Sequence, residues 1–168
     1  MKTILNSFSS ILESKFDNPS SKSRFEWDEL FFIITKIFSY RSSCIKTRQA
    51  CLIVKNNRII SVGINGPPSG SLNCILEENG EEKCGKNLSG SCLLGIHAEQ
   101  NCIGFASKNG ISTNGCTIFC TETPCISCAK LIVSCGIKEF VYIKEYRLLE
   151  GLEFLKLNEI KVRKFVNE

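Results

Sequence analysis

The chain has 168 residues, 43% of them hydrophobic and 23% charged, with a formal net charge of +4. That is enough for one good core; no apolar run of about 18 residues is present to span a membrane, and no Lys/Arg cluster marks a nucleic-acid footprint. Eleven cysteines would suggest a disulfide scaffold in a small secreted protein, but no signal peptide precedes them, so the expectation is a reducing, cytoplasmic setting without membrane or nucleic-acid partners.

Residues 1–24, rich in Ser, Asn and Lys and broken at Asn18-Pro19-Ser20-Ser21, read as an extension ahead of one domain over 25–168. Ile4, Leu5, Phe8, Ile11 and Leu12 nevertheless fall at helical spacing, as in a short docking helix or a weak organellar presequence. From Trp27 to Ser43, Leu30, Phe31, Ile34, Ile37 and Phe38 form a helical stripe. Gln49–Val54 and Arg58–Val62 are expected as a strand hairpin turning at Lys55-Asn56-Asn57. A glycine- and proline-rich loop follows from Asn65 to Leu93, long enough to imply function or a metal clip. A helix begins at His97 and ends near Asn109-Gly110. Strand Thr117–Cys120, helix Ala129–Cys135, strand Glu139–Ile143, helix Arg147–Leu157 and strand Lys161–Val166 complete the chain. The order α-β-β-α-β-α-β-α-β predicts a mixed sheet layered with helices.

Two short segments carry chemistry: His97-Ala98-Glu99, and Pro124-Cys125-Ile126-Ser127-Cys128. His97, Cys125 and Cys128 supply three zinc ligands and leave the fourth tetrahedral position to water, the arrangement of a catalytic rather than a structural zinc. Where Cys-x-x-Cys enters a helix, free N–H groups and the helix dipole favour the thiolate form that a metal needs. Glu99, two residues past His97, can enter the same pocket without coordinating. There it can take a proton from the water, pass it to a base ring, and then protonate the departing amine. Taken singly, Cys-x-x-Cys fits a structural zinc half-site or a redox pair, and a lone His fits a packed or surface residue. Their joint order matches the H-x-E…P-C-x-x-C signature of zinc-dependent nucleobase deaminases.

His97-Ala-Glu-Gln-Asn101, Thr121-Glu-Thr-Pro-Cys125-Ile-Ser-Cys128-Ala-Lys130, Gly136-Ile-Lys, Val141-Tyr142 and Gly63-Ile-Asn65-Gly66-Pro67 together resemble the deoxycytidylate deaminase family, including its ComE-like branch. The resemblance runs from about Arg41 to Val166 and implies an α/β, three-layer α/β/α cytidine-deaminase-like fold with a central mixed five-stranded sheet. It implies hydrolysis of dCMP to dUMP and ammonia, supplying dUMP for thymidylate synthesis, by a zinc-dependent homo-oligomer, often a hexamer. Position by position, His97, Cys125 and Cys128 resemble the zinc ligands and Glu99 the general acid/base. Asn65 resembles the residue that binds the nucleotide near its sugar, the Ala98 backbone would meet the pyrimidine edge, and Tyr146 resembles a tyrosine lining the nucleotide pocket. On residue type alone, Asn65 is a turn residue and Tyr146 a core-edge aromatic. Ile64 stands where Tyr is usual, and Lys108 where relatives regulated by dCTP and dTTP can carry Arg, whose phosphate-binding fork Lys lacks.

The family's long loop often holds a second, noncatalytic zinc, so Cys44, Cys74, Cys84 and Cys92 are read as its four thiolates, against scattered loop cysteines. Cys51, Cys102, Cys116, Cys120 and Cys135 fall in strand or helix patterns and read as small buried apolar residues. Arg41 and Arg48 are expected to meet a nucleotide phosphate, against plain surface charges. Rival readings are a tRNA adenosine deaminase, which calls for a basic face, and a noncatalytic zinc-binding interaction module, which has no use for Glu99. A riboflavin-pathway deaminase would carry a longer cysteine spacing and a fused reductase domain.

Overall fold

The computed structural model describes residues 24–71, 73–76, 82–83 and 92–166. The apolar pattern from Ile4 to Leu12 and the proposed ligand Cys84 lie outside the described residues.

Helix α1 (Trp27–Ser39) starts with Glu26 donating its N–H to Glu29 Oε2 at 2.9 Å. It ends short of the expected Ser43. Three successive i→i+3 bonds, Tyr40 to Ile37, Arg41 to Phe38 and Ser42 to Ser39, unwind the last turn and release Ser42 toward Asn65. Strands β1 (Ala50–Lys55) and β2 (Arg58–Ile64) form the expected hairpin. Asn56 and Asn57 at its tip both take positive φ, 49° and 58°, as a tight turn matched to strand twist demands and as Asn tolerates better than most residues.

The long loop contains one element that sequence periodicity missed, a two-stranded ribbon of β3 (Ile75–Leu76) and β4 (Glu82–Lys83). Two residues per strand are too few to leave an alternating pattern. Helix α2 (Ala98–Lys108), strand β5 (Thr117–Glu122), helix α3 (Ile126–Ser134), strand β6 (Glu139–Lys144), helix α4 (Glu150–Leu157) and strand β7 (Lys161–Lys164) follow. Helix α3 begins before the expected Ala129, and α4 begins after the expected Arg147, which leaves Tyr146 and Arg147 on a connection.

The five-stranded sheet runs β2-β1-β5-β6-β7. β1 is antiparallel to β2 and β5, while β5, β6 and β7 are parallel, so the sheet is mixed as expected. One face carries α2, α3 and α4 over a core that includes Cys51, Cys102, Ile118, Ile132, Phe140 and Leu155. The other carries α1, whose Phe31 and Phe32 pack against Phe119 with ring centroids 5.1 and 5.3 Å apart. The result is the three-layer α/β/α arrangement, and Cys51, Cys102, Cys116 and Cys120 are buried in it as read from their pattern, whereas Cys135, read the same way, is only half-buried at the end of α3. Among the described residues no helix is long and apolar enough to cross a membrane.

An ionic knot ties α1 to the parallel edge. Arg163 bonds Asp28 at 2.6 Å and Glu139 at 2.7 Å, and Lys161 and Thr117 also reach Glu139, at 3.0 and 3.1 Å. Partial burial raises the Glu139 pKa, but Arg163 and Lys161 outweigh it and hold the carboxyl below its ordinary value. A carboxylate depressed in the folded state stabilises above its unfolded pKa and loses that contribution as pH falls through the folded one. Replacing Glu139 with Gln should cost about 1 kcal/mol at pH 7, or roughly 2–4 °C in Tm. The gap to wild type should close as the pH is taken below the ordinary carboxylate range, about 4, in thermal melts read by circular dichroism; a pH-independent gap would remove the ion pairs as its cause.

Candidate active site

The two chemical segments occupy equivalent positions on two helices. His97 is the N-cap of α2 and Cys125 the N-cap of α3, both with extended backbone, so each turns from strand-like chain into a helix at its ligand. Gln100 Oε1 accepts the His97 N–H at 2.9 Å and fixes the entry to α2. Cys128 follows on the first turn of α3 and is fully buried. The helix ends meet where β5 finishes and β1 begins, beside the Cys51–Cys120 pairing.

Two glycines permit this approach. A Cβ on Gly63 of β2 would overlap the Ala98 carbonyl and the Cys102 amide, and a Cβ on Gly151 of α4 would overlap the Pro124 carbonyl. Only a bare backbone lets β2 lie against the start of α2, and α4 against the peptide that leads into Cys125. Asn101 Nδ2 to Ile64 O at 2.8 Å and Ser61 Oγ to Cys102 O at 2.7 Å pin the first of these contacts.

His97 Nδ1 lies 3.5 Å from Cys125 Sγ and 3.4 Å from Cys128 Sγ. A tetrahedral zinc with bonds of about 2.3 Å to sulfur and 2.0–2.1 Å to nitrogen sets S and N about 3.5–3.6 Å apart, so both nitrogen–sulfur distances match a zinc site. Their ligand atoms lie within 4.8 Å of one another, and they are the only three-ligand group among the described residues. The Cys128 thiol and then His97, both bonded to Cys125, pull the Cys125 thiol down to about 3. Cys125 in turn pushes the His97 imidazole up and, with burial, the Cys128 thiol up. One thiolate beside an imidazole and a second thiol is a donor set prepared for a cation.

Glu99 is 8% exposed and stands outside the ligand group. Burial pushes its carboxyl up from the ordinary glutamate value, the direction needed by a group that must both accept and return a proton near neutral pH.

A cavity of about 520 Å³ opens over these groups. His97, Ala98, Glu99 and Cys125 line it, and so do Asn65 and Tyr146. Cys44, Cys74 and Cys92 also line it, but they do not close into a three-ligand group among the described residues. Arg41 and Arg48, expected at a phosphate, are exposed and absent from the lining; the cations there are Lys46 and Arg147. Both were legible as near neighbours of residues already singled out. Lys46 lies between the two arginines, and Arg147 follows Tyr146, over whose ring its guanidinium sits at 5.7 Å. Gln49 and Thr121 also line the cavity; Thr121 opens the motif that runs to Lys130, but residue type alone gave neither a role in the site.

The family model for the cytidine and deoxycytidylate deaminase zinc-binding region matches residues 25–144. The chain belongs to this family. It is 36% identical over 135 residues to the deoxycytidylate deaminase of Schizosaccharomyces pombe, covering 78% of this chain and 41% of that one. It is 34% identical over 124 residues to ComE operon protein 2 of Bacillus subtilis, covering 74% of this chain and 62% of that one. The chain thus spans between two fifths and two thirds of these curated relatives' lengths. A crystal structure of the dCMP deaminase from cyanophage S-TIM5 in complex with dCMP and dUMP superposes with TM-score 0.72 at 32% identity, over 84% of this chain and 98% of that one.

Cys125 belongs to the group of donor atoms that could hold a metal and Glu99 stands outside it, so the two positions are expected to separate in their metal dependence. Glu99→Gln should keep its zinc, measured by elemental analysis of the purified protein, and Cys125→Ser should lose it. Equal zinc in both variants would take Cys125 out of the metal site.

Proposed function

We propose that the chain deaminates dCMP hydrolytically to dUMP and ammonia. The observation that carries this reading is the donor set His97, Cys125 and Cys128 with the buried carboxyl of Glu99 beside it, at a cavity whose lining includes two cations. The related cyanophage enzyme was crystallised in complex with dCMP and dUMP, which supports the same pair of molecules here.

Zinc held by the three ligands would supply the Lewis acidity that makes a water nucleophilic near neutral pH. The chain's own residues do the rest. Glu99 takes the proton that the water gives up, delivers it to the ring nitrogen next to the carbon under attack, and carries the second proton to the departing amine. Its raised pKa matches a carboxyl that takes up and releases a proton twice in one turnover. The Ala98 backbone borders the same cavity and is suited to the pyrimidine edge, Tyr146 offers a ring, and Asn65 offers an amide. Arg147 and Lys46 take the phosphate role in preference to Arg41 and Arg48, because only the former line the cavity.

Three further elements belong to this reading. Cys44, Cys74 and Cys92 bordering one cavity supports a second, structural zinc completed by Cys84. The described cysteines form no disulfide with one another, which fits a reducing cytoplasm. Large exposed apolar side chains, among them Ile37, Phe38 and Phe105, supply surface for a homo-oligomer such as a hexamer.

Ammonia release should be measured with deoxycytidine, dCMP, dCTP and a tRNA anticodon stem as substrates. The expected order places dCMP above the nucleoside by one to two decades in kcat/KM, the worth of about one charge-assisted contact at roughly 1.5–3 kcal/mol. Arg147→Ala should erase most of that margin, Glu99→Gln should lower turnover by about 10²–10⁴-fold, and inosine formation in the tRNA stem would move the chain to the adenosine deaminase class. The second metal is tested separately: protein purified without added zinc should hold two ions per chain and Cys84→Ser one, with a loss of thermal stability, whereas one ion in both would return the loop cysteines to scattered residues.

A further inference from the structure

Asn65 follows β2 directly and lines the cavity. Its carboxamide is held by two backbone groups of fixed polarity. The Gln49 N–H donates to Oδ1 at 2.7 Å, and Nδ2 donates to the Thr47 carbonyl at 3.0 Å. Turning the amide over would set its NH2 against an N–H and its oxygen against a carbonyl, so one orientation is enforced.

Ser42 closes the other side. It is 4% exposed, its Oγ lies 2.8 Å from Asn65 Oδ1 and 2.7 Å from the Asn65 carbonyl, and it accepts the Cys44 N–H at 3.1 Å. The scaffold behind these bonds is itself anchored. Asn65 N donates to Gln49 O at 3.0 Å, Gln49 Nε2 to Thr47 Oγ1 at 2.8 Å, and Gln49 Oε1 accepts from the Thr121 hydroxyl.

An asparagine amide offers two acceptor positions on oxygen and two N–H donors. Here the Gln49 N–H and the Ser42 hydroxyl, whose one proton is shared between Oδ1 and the Asn65 carbonyl, face the oxygen, and Thr47 takes one N–H. A single N–H is left for whatever enters the cavity. We infer that Asn65 meets its substrate as a hydrogen-bond donor only, and that Ser42 is a positioning residue which fixes this polarity.

The inference rests on the nucleotide reading above and adds the chemistry of the contact. An acceptor oxygen of the sugar or phosphate is matched by Asn65, whereas a group able only to donate, such as an amine, is not. Burying an unmatched polar group would cost more than the matched bond gains, which makes the contact a filter as well as an anchor.

Two measurements test it. In zinc-loaded Glu99→Gln protein labelled with 15N and titrated with dCMP, and separately with dUMP, one Asn65 side-chain proton should shift while its partner, bonded to Thr47, stays in place. Equal movement of both protons, or movement of neither while other cavity signals respond, would overturn the donor-only assignment.

Kinetics on dCMP supply the second arm. Asn65→Asp keeps the size and the acceptor oxygens but removes the donor, and should lower kcat/KM about tenfold or more, the loss of a hydrogen bond with an unmatched carboxylate left in its place. Ser42→Ala should raise KM about five- to tenfold with kcat within about twofold, and Ser42→Thr, which restores the hydroxyl, should return KM to within about twofold of wild type. A scaffolding role alone would lower the melting temperature without this split between KM and kcat or its rescue. Turnover of dCMP that is insensitive to Asn65→Asp or Ser42→Ala overturns this inference and leaves the reaction standing. Failure of the wild type on every cytosine nucleotide overturns the proposed reaction, and this inference with it. If Ser42→Ala does not fold, the carboxamide titration decides alone.

Discussion

The site depends on the meeting of two helix N-termini. Helices α2 and α3 each begin at a member of the donor cluster, His97 and Cys125, so the positive dipole ends of both point toward one spot. Such a field favours thiolate at Cys125 and anionic character nearby, and it is fixed by backbone rather than by mobile side chains. The convergence is possible because two backbones come closer than a Cβ would allow, at Gly63 and at Gly151. Glu99 takes its place from the same geometry. In the first turn of α2, it is carried below the surface and kept apart from the ligand set.

Much of this was legible in the sequence because the signals were either periodic or chemically narrow. The stripe of α1 and the hairpin over Asn56-Asn57 follow from side-chain patterns that only one structure accommodates, and the spacing of His97, Glu99, Cys125 and Cys128 has few other uses. What escaped was set by tertiary contact. The end of α1 is decided by Ser42 reaching Asn65, across 23 residues of chain, which no local propensity records. The ribbon β3–β4 is too short to have a period. That Lys46 and Arg147 line the cavity while Arg41 and Arg48 do not is likewise beyond local sequence, because which of several neighbouring cations faces a cavity is a matter of direction. The start of α4 at Glu150, rather than at Arg147, is what leaves that guanidinium on a connection at the rim.

The cavity divides its labour by polarity. Its lining joins His97, Cys125 and the buried carboxyl of Glu99 with the charges of Lys46, Glu122 and Arg147 and with a neutral, hydrogen-bonded stretch of Thr47, Gln49, Asn65 and Thr121. A neutral, pre-bonded wall has little freedom to reorganise when a ligand arrives, so little ordering entropy is lost on binding. Thr121 also accepts the Ala50 N–H at 3.2 Å, which carries the same network into the first residue of β1.

The order of strands has a kinetic side. The hairpin β1–β2 with α2 forms one half of the sheet and β5-α3-β6-α4-β7 the other, and the two share a single ladder between β1 and β5. The first half closes over a two-residue turn, a fast and local event, whereas joining the halves must close the whole stretch from β2 to β5, a slow search through chain entropy. His97 belongs to one half, Cys125 and Cys128 to the other. A metal ion bound by all three would therefore bridge the seam that forms last. Its stabilising effect would fall on the escape from the native state, slowing unfolding while leaving the rate of folding largely unchanged.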